Sequence, residues 1–181
     1  APNIDKKFNV HGLEENFAKV AKLAIQYAKK YKKRFIFLQK RPVKSLNNKI
    51  EIDFYKKYLK NDEFNFLINH SNSNSGPYSS YFGLFQSKIA IGAQSTLLRD
   101  KLGCSEKILS LNISDEDLFR FPINGACHLE NFESSIFEKK LNDINHMSID
   151  EYLTQLDRPS DYVMQFDNNL SVIKKIKNEL Y

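Results

Sequence analysis

From Leu13 to about Tyr31, apolar Leu13, Phe17, Val20, Ala21, Ala24, Tyr27, Ala28 and Tyr31 recur at spacings of three and four, the period of an amphipathic helix. Its polar face is basic. Directly after its lysine-rich end, Phe35-Ile36-Phe37-Leu38 forms a continuous apolar run of the kind expected from a strand buried on both faces, broken at Pro42. The same alternation continues along the chain. The pattern predicts a helix over about 51–59, a strand over Phe64-Asn65-Phe66-Leu67-Ile68, and a short helix over 78–86. It then predicts a strand over 88–92, a helix over 96–102 closed by Gly103, and a strand over 107–111. Strands that alternate with helices imply an α/β fold with a parallel sheet and helices on its faces.

The pattern is less regular beyond Asn112. Phe119-Arg120-Phe121-Pro122 reads as a loop, and helices are predicted over 134–145 and 148–157, the second opened by the capping-box pair Ser148 and Glu151. A last helix, about 170–180, would place Leu170, Ile173, Ile176 and Leu180 on one face. These three helices are expected to pack back against the sheet. The Ser/Asn-rich stretch 69–75 reads as a loop, and no internal repeat is present.

Length adds a bound: 181 residues with 41% hydrophobic content fit one well-covered core and are short for two, so residues 1–181 read as one domain. The core must lean on Phe, Ile and Leu, because the chain has fourteen Phe and nine Tyr but no Trp. A net charge of +5 is modest, yet Lys29, Lys30, Lys32, Lys33, Arg34, Lys40, Arg41 and Lys44 crowd one stretch that could attract phosphates, an acidic membrane face or nucleic acid, or simply be a solvated helix end. Only Cys104 and Cys127 are present, without a CxxC pair, which argues against a disulfide framework and for a reducing compartment. No apolar run approaches the ~20 residues that span a bilayer, so a membrane association would be peripheral.

The most informative segment is Ile89-Ala90-Ile91-Gly92-Ala93-Gln94-Ser95-Thr96-Leu97-Leu98-Arg99-Asp100. A buried strand ends at Gly92, which would allow a tight turn, and small polar residues stand where a helix begins. Free N–H groups at a helix start, with the Ser95 and Thr96 hydroxyls, can hold phosphate oxygens; the alternative is that either hydroxyl only caps the helix. In an open parallel sheet, ligands bind beyond the carboxyl ends of the strands, where this turn would lie. Gln39-Lys40-Arg41 and His70 are expected at the same edge, the cations to counter a diphosphate and the histidine to contact a nucleoside or sugar.

The block Tyr78 to Asn112, "YSSYFGLFQSKIAIGAQSTLLRDKLGCSEKILSLN", resembles the donor-site region of GT-B glycosyltransferases of surface-carbohydrate biosynthesis. The tail "MSIDEYLTQLDRPSDYVMQFDNN" is similar to that group as well, and the likeness spans roughly residues 13–181. It implies a Rossmann-like domain with extra C-terminal helices, the nucleotide-sugar-binding half of a two-domain enzyme. It also implies that Ser95 and Thr96 touch the donor phosphates and that Arg99 or Asp100 lies by the sugar or ribose, with Gly92 and Gln94 in the same turn. Asp100 stands where the group commonly carries Glu. A metal is not required in such sites, because cations and helix dipoles stabilise the departing nucleotide diphosphate; Lys40, Arg41 and the helix start at Ser95 suit that role.

The family pairs this half with an N-terminal acceptor-binding domain that usually supplies the general base. Residues 1–181 alone are therefore expected to show negligible turnover, with His11 as a candidate for the base facing the interdomain cleft. No cofactor is expected beyond the nucleotide-sugar substrate. The expected setting is cytoplasmic, with the inner face of the membrane as a peripheral contact. Two alternatives stay open: a GT-B enzyme of the sugar-nucleotide epimerase kind, and a basic nucleic-acid-binding module, against which the absence of a recognition motif counts. Cys127-His128 lacks metal-site spacing, neither cysteine has an evident base, and Glu130 with Glu133 reads as a solvated surface pair on a helical face.

Overall fold

The computed structural model describes residues 13–39, 46–72, 79–93, 95–114, 120–131 and 133–164. In chain order the elements are α1 (Leu13–Lys30), α2 (Leu46–Tyr58), α3 (Asn61–Asn69), α4 (Ser79–Gln86), β1 (Ala90–Gly92), α5 (Thr96–Gly103), β2 (Ile108–Leu111), β3 (His128–Leu129), α6 (Ser134–His146), α7 (Ile149–Thr154) and a 3-10 turn (Ser160–Tyr162). This is an α/β arrangement in which a small parallel sheet is flanked by helices.

The helix α1 is the first predicted element, and it is buried more widely than a one-sided stripe requires. Glu14 and Glu15 sit in its first turn and Lys29 and Lys30 in its last, each sign complementing the helix dipole. Val20, Leu23 and Tyr27 join the main core with the sheet, whereas Ala18 and Ile25 join a second core built from Phe54, Tyr55, Leu59 and Leu67. One helix thereby ties two apolar clusters together.

The sheet order is β1-β2-β3, all parallel, with Ala90 opposite Ile108, Gly92 opposite Ser110, and Ser110 opposite His128. Helix α5 connects β1 to β2, the strand–helix–strand unit that the alternation predicted. All four residues of β2 are buried, as a central strand demands. The two-residue β3 was not foreseen, because two residues carry no period.

Two sequence expectations change. The run Phe64 to Ile68 lies inside helix α3 and not in a strand. Phe64, Leu67 and Ile68 also satisfy helical spacing, Asp62 and Glu63 supply an acidic first turn, and the Lys60 N–H donates to Glu63 Oε2 at 3.1 Å. The run 35–38 makes only an isolated parallel bridge, Phe37 with Ser71, through Phe37 N to His70 O at 2.8 Å and Asn72 N to Phe37 O at 2.9 Å. The predicted last helix, 170–180, lies outside the described residues.

Buried lysines finish two helices. Lys101 is fully buried, and its ammonium donates to the carbonyls of Leu84 and Ser87 at the end of α4 while pairing with Glu106. Lys107 does the same for α6, donating to Ile144 O at 2.9 Å and to Met147 O. Carbonyls left over at a helix C-terminus are thus satisfied by a cation, which the dipole also favours. Among the described residues, no helix is long and apolar enough to cross a membrane.

Candidate functional site

The carboxyl ends of β1, β2 and β3 point to one edge because the strands are parallel. Beyond β1 the chain turns through Ala93 and enters α5 at Ser95, whose backbone is extended (φ −132°, ψ 138°) and whose side chain makes no capping hydrogen bond. The Ser95 carbonyl instead accepts from Leu98 N at 3.1 Å and Arg99 N at 3.4 Å. Ser148 shows the other outcome: its side chain accepts from Glu151 N at 3.1 Å, and Glu151 Oε2 accepts from Ser148 N at 2.6 Å, the predicted capping box. The Ser95 hydroxyl is therefore not consumed by the helix it precedes. Helical geometry leaves the Thr96 and Leu97 N–H groups without intrahelical acceptors.

Gly92 does not serve the turn in the way its sequence position suggests. Its φ is not in the left-handed region, and an added Cβ would meet Leu98 at an ordinary 3.5 Å. Among the described residues the glycine with a left-handed backbone is Gly125, with φ 94° and the site of a Cβ only 1.9 Å from Gln155 O.

Thr96 is exposed and Arg99 half-buried, both on the first turns of α5. Asp100 is buried, and its Oδ2 accepts a 2.9 Å hydrogen bond from the Tyr81 hydroxyl, so that oxygen is turned to α4. The same bond raises the Tyr81 phenol above its ordinary pKa. His70 sits at the end of α3 and not at a strand end. Its Nδ1 lies 2.8 Å from Phe66 O and its ring stacks on Phe66 at 4.1 Å, so it serves its own helix. His11, Lys40, Arg41 and Gln94 lie outside the described residues.

A polar cluster at the ends of β2 and β3 was not legible in the sequence. Glu130 Oε2 accepts from Asn112 Nδ2 at 2.9 Å, and Glu130 Oε1 lies 2.6 Å from Arg120 Nε and 3.2 Å from His128 Nε2. Asn112 Oδ1 in turn accepts from Ser114 N at 3.2 Å, and Asn16 Nδ2 donates to Ile113 O at 2.7 Å, which fixes the exit of β2. Burial pushes the Glu130 carboxyl up, but Asn112, His128 and Arg120 together hold it below the usual carboxylate range. Glu130 directly follows β3 and Glu133 precedes α6, so the two do not share a helical face.

One row further in, Ser110 and His128 face each other across adjacent strands. Both are buried, and neither the Ser110 Oγ nor the ring nitrogens of His128 make a hydrogen bond of good geometry among the described residues. The His128–Glu130 approach at 3.2 Å is not an aligned hydrogen bond, and it is an ion pair only when the ring is protonated. Burial pulls the His128 imidazole below the ordinary histidine value, and Glu130 offsets only part of that pull. The register that produces this pair cannot be read from a two-residue strand. The thiol of Cys127 is buried, donates to Ile123 O and is pushed up to about 12 by desolvation, which makes it inert as a nucleophile.

Elsewhere, an open cleft of about 670 Å³ lies between α1 and α6, lined by Lys30, Ser134, Ser135, Glu138, Lys139, Asn142 and Asp143. Among the described residues no group of three His, Cys, Asp or Glu side chains could hold a metal ion. Comparison with protein-family models, curated proteins and solved structures finds no match.

Proposed function

We propose that this chain binds the diphosphate of a nucleotide sugar at the carboxyl edge of the β1-β2-β3 sheet, as the Rossmann-like donor-binding half of a GT-B-type glycosyltransferase that builds a surface glycan. The observation that carries this reading is Ser95. It stands at the N-cap of an eight-residue helix directly beyond the parallel strand β1, and its hydroxyl does not cap that helix. A helix start whose Thr96 and Leu97 N–H groups have no intrahelical acceptor, with a spare Ser95 hydroxyl and an adjacent Thr96 hydroxyl, has the chemistry of a phosphate cradle. Its position at the carboxyl edge of an open parallel sheet is where ligands of such sheets bind.

Arg99 lies one turn into the same helix and supplies a cation near the phosphates; Lys40 and Arg41 are assigned the same role from their charge. Departure of a nucleoside diphosphate needs this positive field more than it needs a metal. The general base is left to the acceptor-binding partner domain. Calorimetric titration with sugar nucleotides tests the reading: binding should be selective for one nucleotide class and should weaken at least tenfold when Ser95 and Thr96 are both replaced by alanine. Equal binding by wild type and the double variant removes the phosphate-site assignment. Steep salt dependence without preference among nucleotides would point to nucleic acid instead.

A further inference from the structure

Helix α1 ends at Lys30, and the chain just beyond it is more basic than the helix dipole accounts for. Lys29 pairs with Asp62 at 2.9 Å and Lys30 with Glu138 at 2.6 Å, whereas Lys32, Lys33 and Arg34 are exposed and make no ion pair among the described residues. Lys32 holds φ 50°, the left-handed position after a helix that glycine ordinarily fills, and Lys33 N donates to Ala28 O at 2.9 Å to close the turn. Glycine would serve that turn at less conformational cost, so the fold does not account for a lysine there. An aromatic stack stands beside these cations. The exposed His70 ring lies on Phe66 with centroids 4.1 Å apart and planes at 26°, and Phe35, next to Arg34 in the chain, approaches Phe66 at 5.6 Å and His70 at 6.3 Å. Lys29 Nζ lies 5.3 Å from the centre of the Phe66 ring. The His70 ring is held by this stacking and by Nδ1, 2.8 Å from Phe66 O, while the residue stays open to solvent.

We propose that this surface binds single-stranded nucleic acid, with Lys32, Lys33 and Arg34 on the phosphates and a base stacked on the His70 ring. Cations that track a backbone beside an aromatic ring held in place are the two parts of such a site, and stacking on the ring tolerates any base. An acidic peptide would satisfy the cations but has no use for the ring. An anionic membrane would call for an exposed large apolar side chain to insert, and among the described residues none lies in this patch; the most exposed, Phe82 and Tyr162, are on α4 and the 3-10 turn. The surface is built from the ends of α1 and α3, and none of its residues belongs to the β1–α5 turn, so it stands independently of the phosphate site at Ser95.

The test is fluorescence anisotropy of the full chain with labelled dodecauridylate and with an abasic oligomer of the same length. Three phosphate contacts should make dodecauridylate binding about twentyfold weaker as salt rises from about 50 mM to about 200 mM. The Lys32→Gly/Lys33→Gln/Arg34→Gln variant should bind about tenfold more weakly at the lower salt and lose most of that salt dependence. His70→Ala should bind about fivefold more weakly and His70→Tyr, which restores a ring, close to wild type. Lys32→Gly alone should melt no lower than the wild type and still bind more weakly, which separates lost contact from lost fold. The Ser95→Ala/Thr96→Ala variant should bind the oligomer as the wild type does. No binding by the wild type, or unchanged binding by the triple variant, overturns the proposal. So does equal affinity for the abasic oligomer, or unchanged binding by His70→Ala, either of which reduces the surface to a general polyanion attractor. Loss of binding in the Ser95→Ala/Thr96→Ala variant moves the oligomer to the carboxyl edge and overturns it too. Capture by phosphatidylserine vesicles without binding of dodecauridylate assigns the patch to a membrane instead.

Discussion

The hydroxyl of Tyr152 accepts from the backbone N–H of Ile108 at 3.1 Å and donates to the carbonyl of the same residue at 2.8 Å. Ile108 opens the central strand, and both residues are fully buried. One side chain of α7 thus satisfies two backbone groups of β2, and burial lifts its phenol far above the tyrosine range. Tyr152→Phe should destabilise the fold by about 2 kcal/mol, because it strands a buried donor and acceptor without leaving a large cavity. A thermal or urea melt checks this, and nucleotide affinity at the opposite edge of the strand should not change.

Two serines at helix starts should behave differently. Ser148→Ala removes a hydrogen-bonded cap and should cost about 1 kcal/mol. Ser95→Ala removes a side chain that makes no capping bond and should shift stability by less than about 0.5 kcal/mol. Parallel urea melts of the two variants decide it; a Ser95→Ala loss equal to that of Ser148→Ala would return Ser95 to an ordinary capping role.

Glycines separate in the same way. Gly92→Ala adds a methyl that meets Leu98 at 3.5 Å and should fold normally. Gly125→Ala needs a left-handed backbone and places its Cβ 1.9 Å from Gln155 O, so the junction between the start of β3 and the end of α7 must shift. Soluble yield and melting temperature should be near wild type for the first and sharply reduced for the second.

Acid should weaken the fold through His128. Burial holds its folded pKa below the unfolded value of about 6.5, so the unfolded chain takes the proton first. Its contribution to stability is present above about pH 6.5 and declines as pH falls from there towards the lower folded value. Urea melts at about pH 7.5 and about pH 5.5 should show a larger acid loss in wild type than in His128→Gln; equal losses would place the acid sensitivity elsewhere.

The sequence made most of the described helices and the β1–α5–β2 unit legible because each is written in a local signal: the three-four spacing of α1, the largely apolar run 108–111, the Ser148 and Glu151 pair. It misled at Phe64 to Ile68, where five mostly apolar residues fit either period and the acidic turn at Asp62 and Glu63 settles the matter for a helix. The Ser95 turn was legible as a strand-to-helix junction, but whether its hydroxyl caps the helix depends on a side-chain geometry that sequence does not specify. The cluster of Asn112, Arg120, His128 and Glu130 was hidden for a different reason. Its members meet only through parallel register, and Glu130 looked like half of a surface carboxylate pair until β3 placed it beside β2.

Titration of the purified chain with UDP, GDP, CMP and ADP and their sugar conjugates, repeated on the Ser95→Ala/Thr96→Ala variant, tests nucleotide binding at the carboxyl edge most directly. The expected result is saturable binding of one nucleotide class by the wild type, weakened at least tenfold in the variant while its melting temperature stays close to that of the wild type. Binding of none of them by the wild type, or unchanged binding by a folded double variant, would contradict a phosphate site at Ser95.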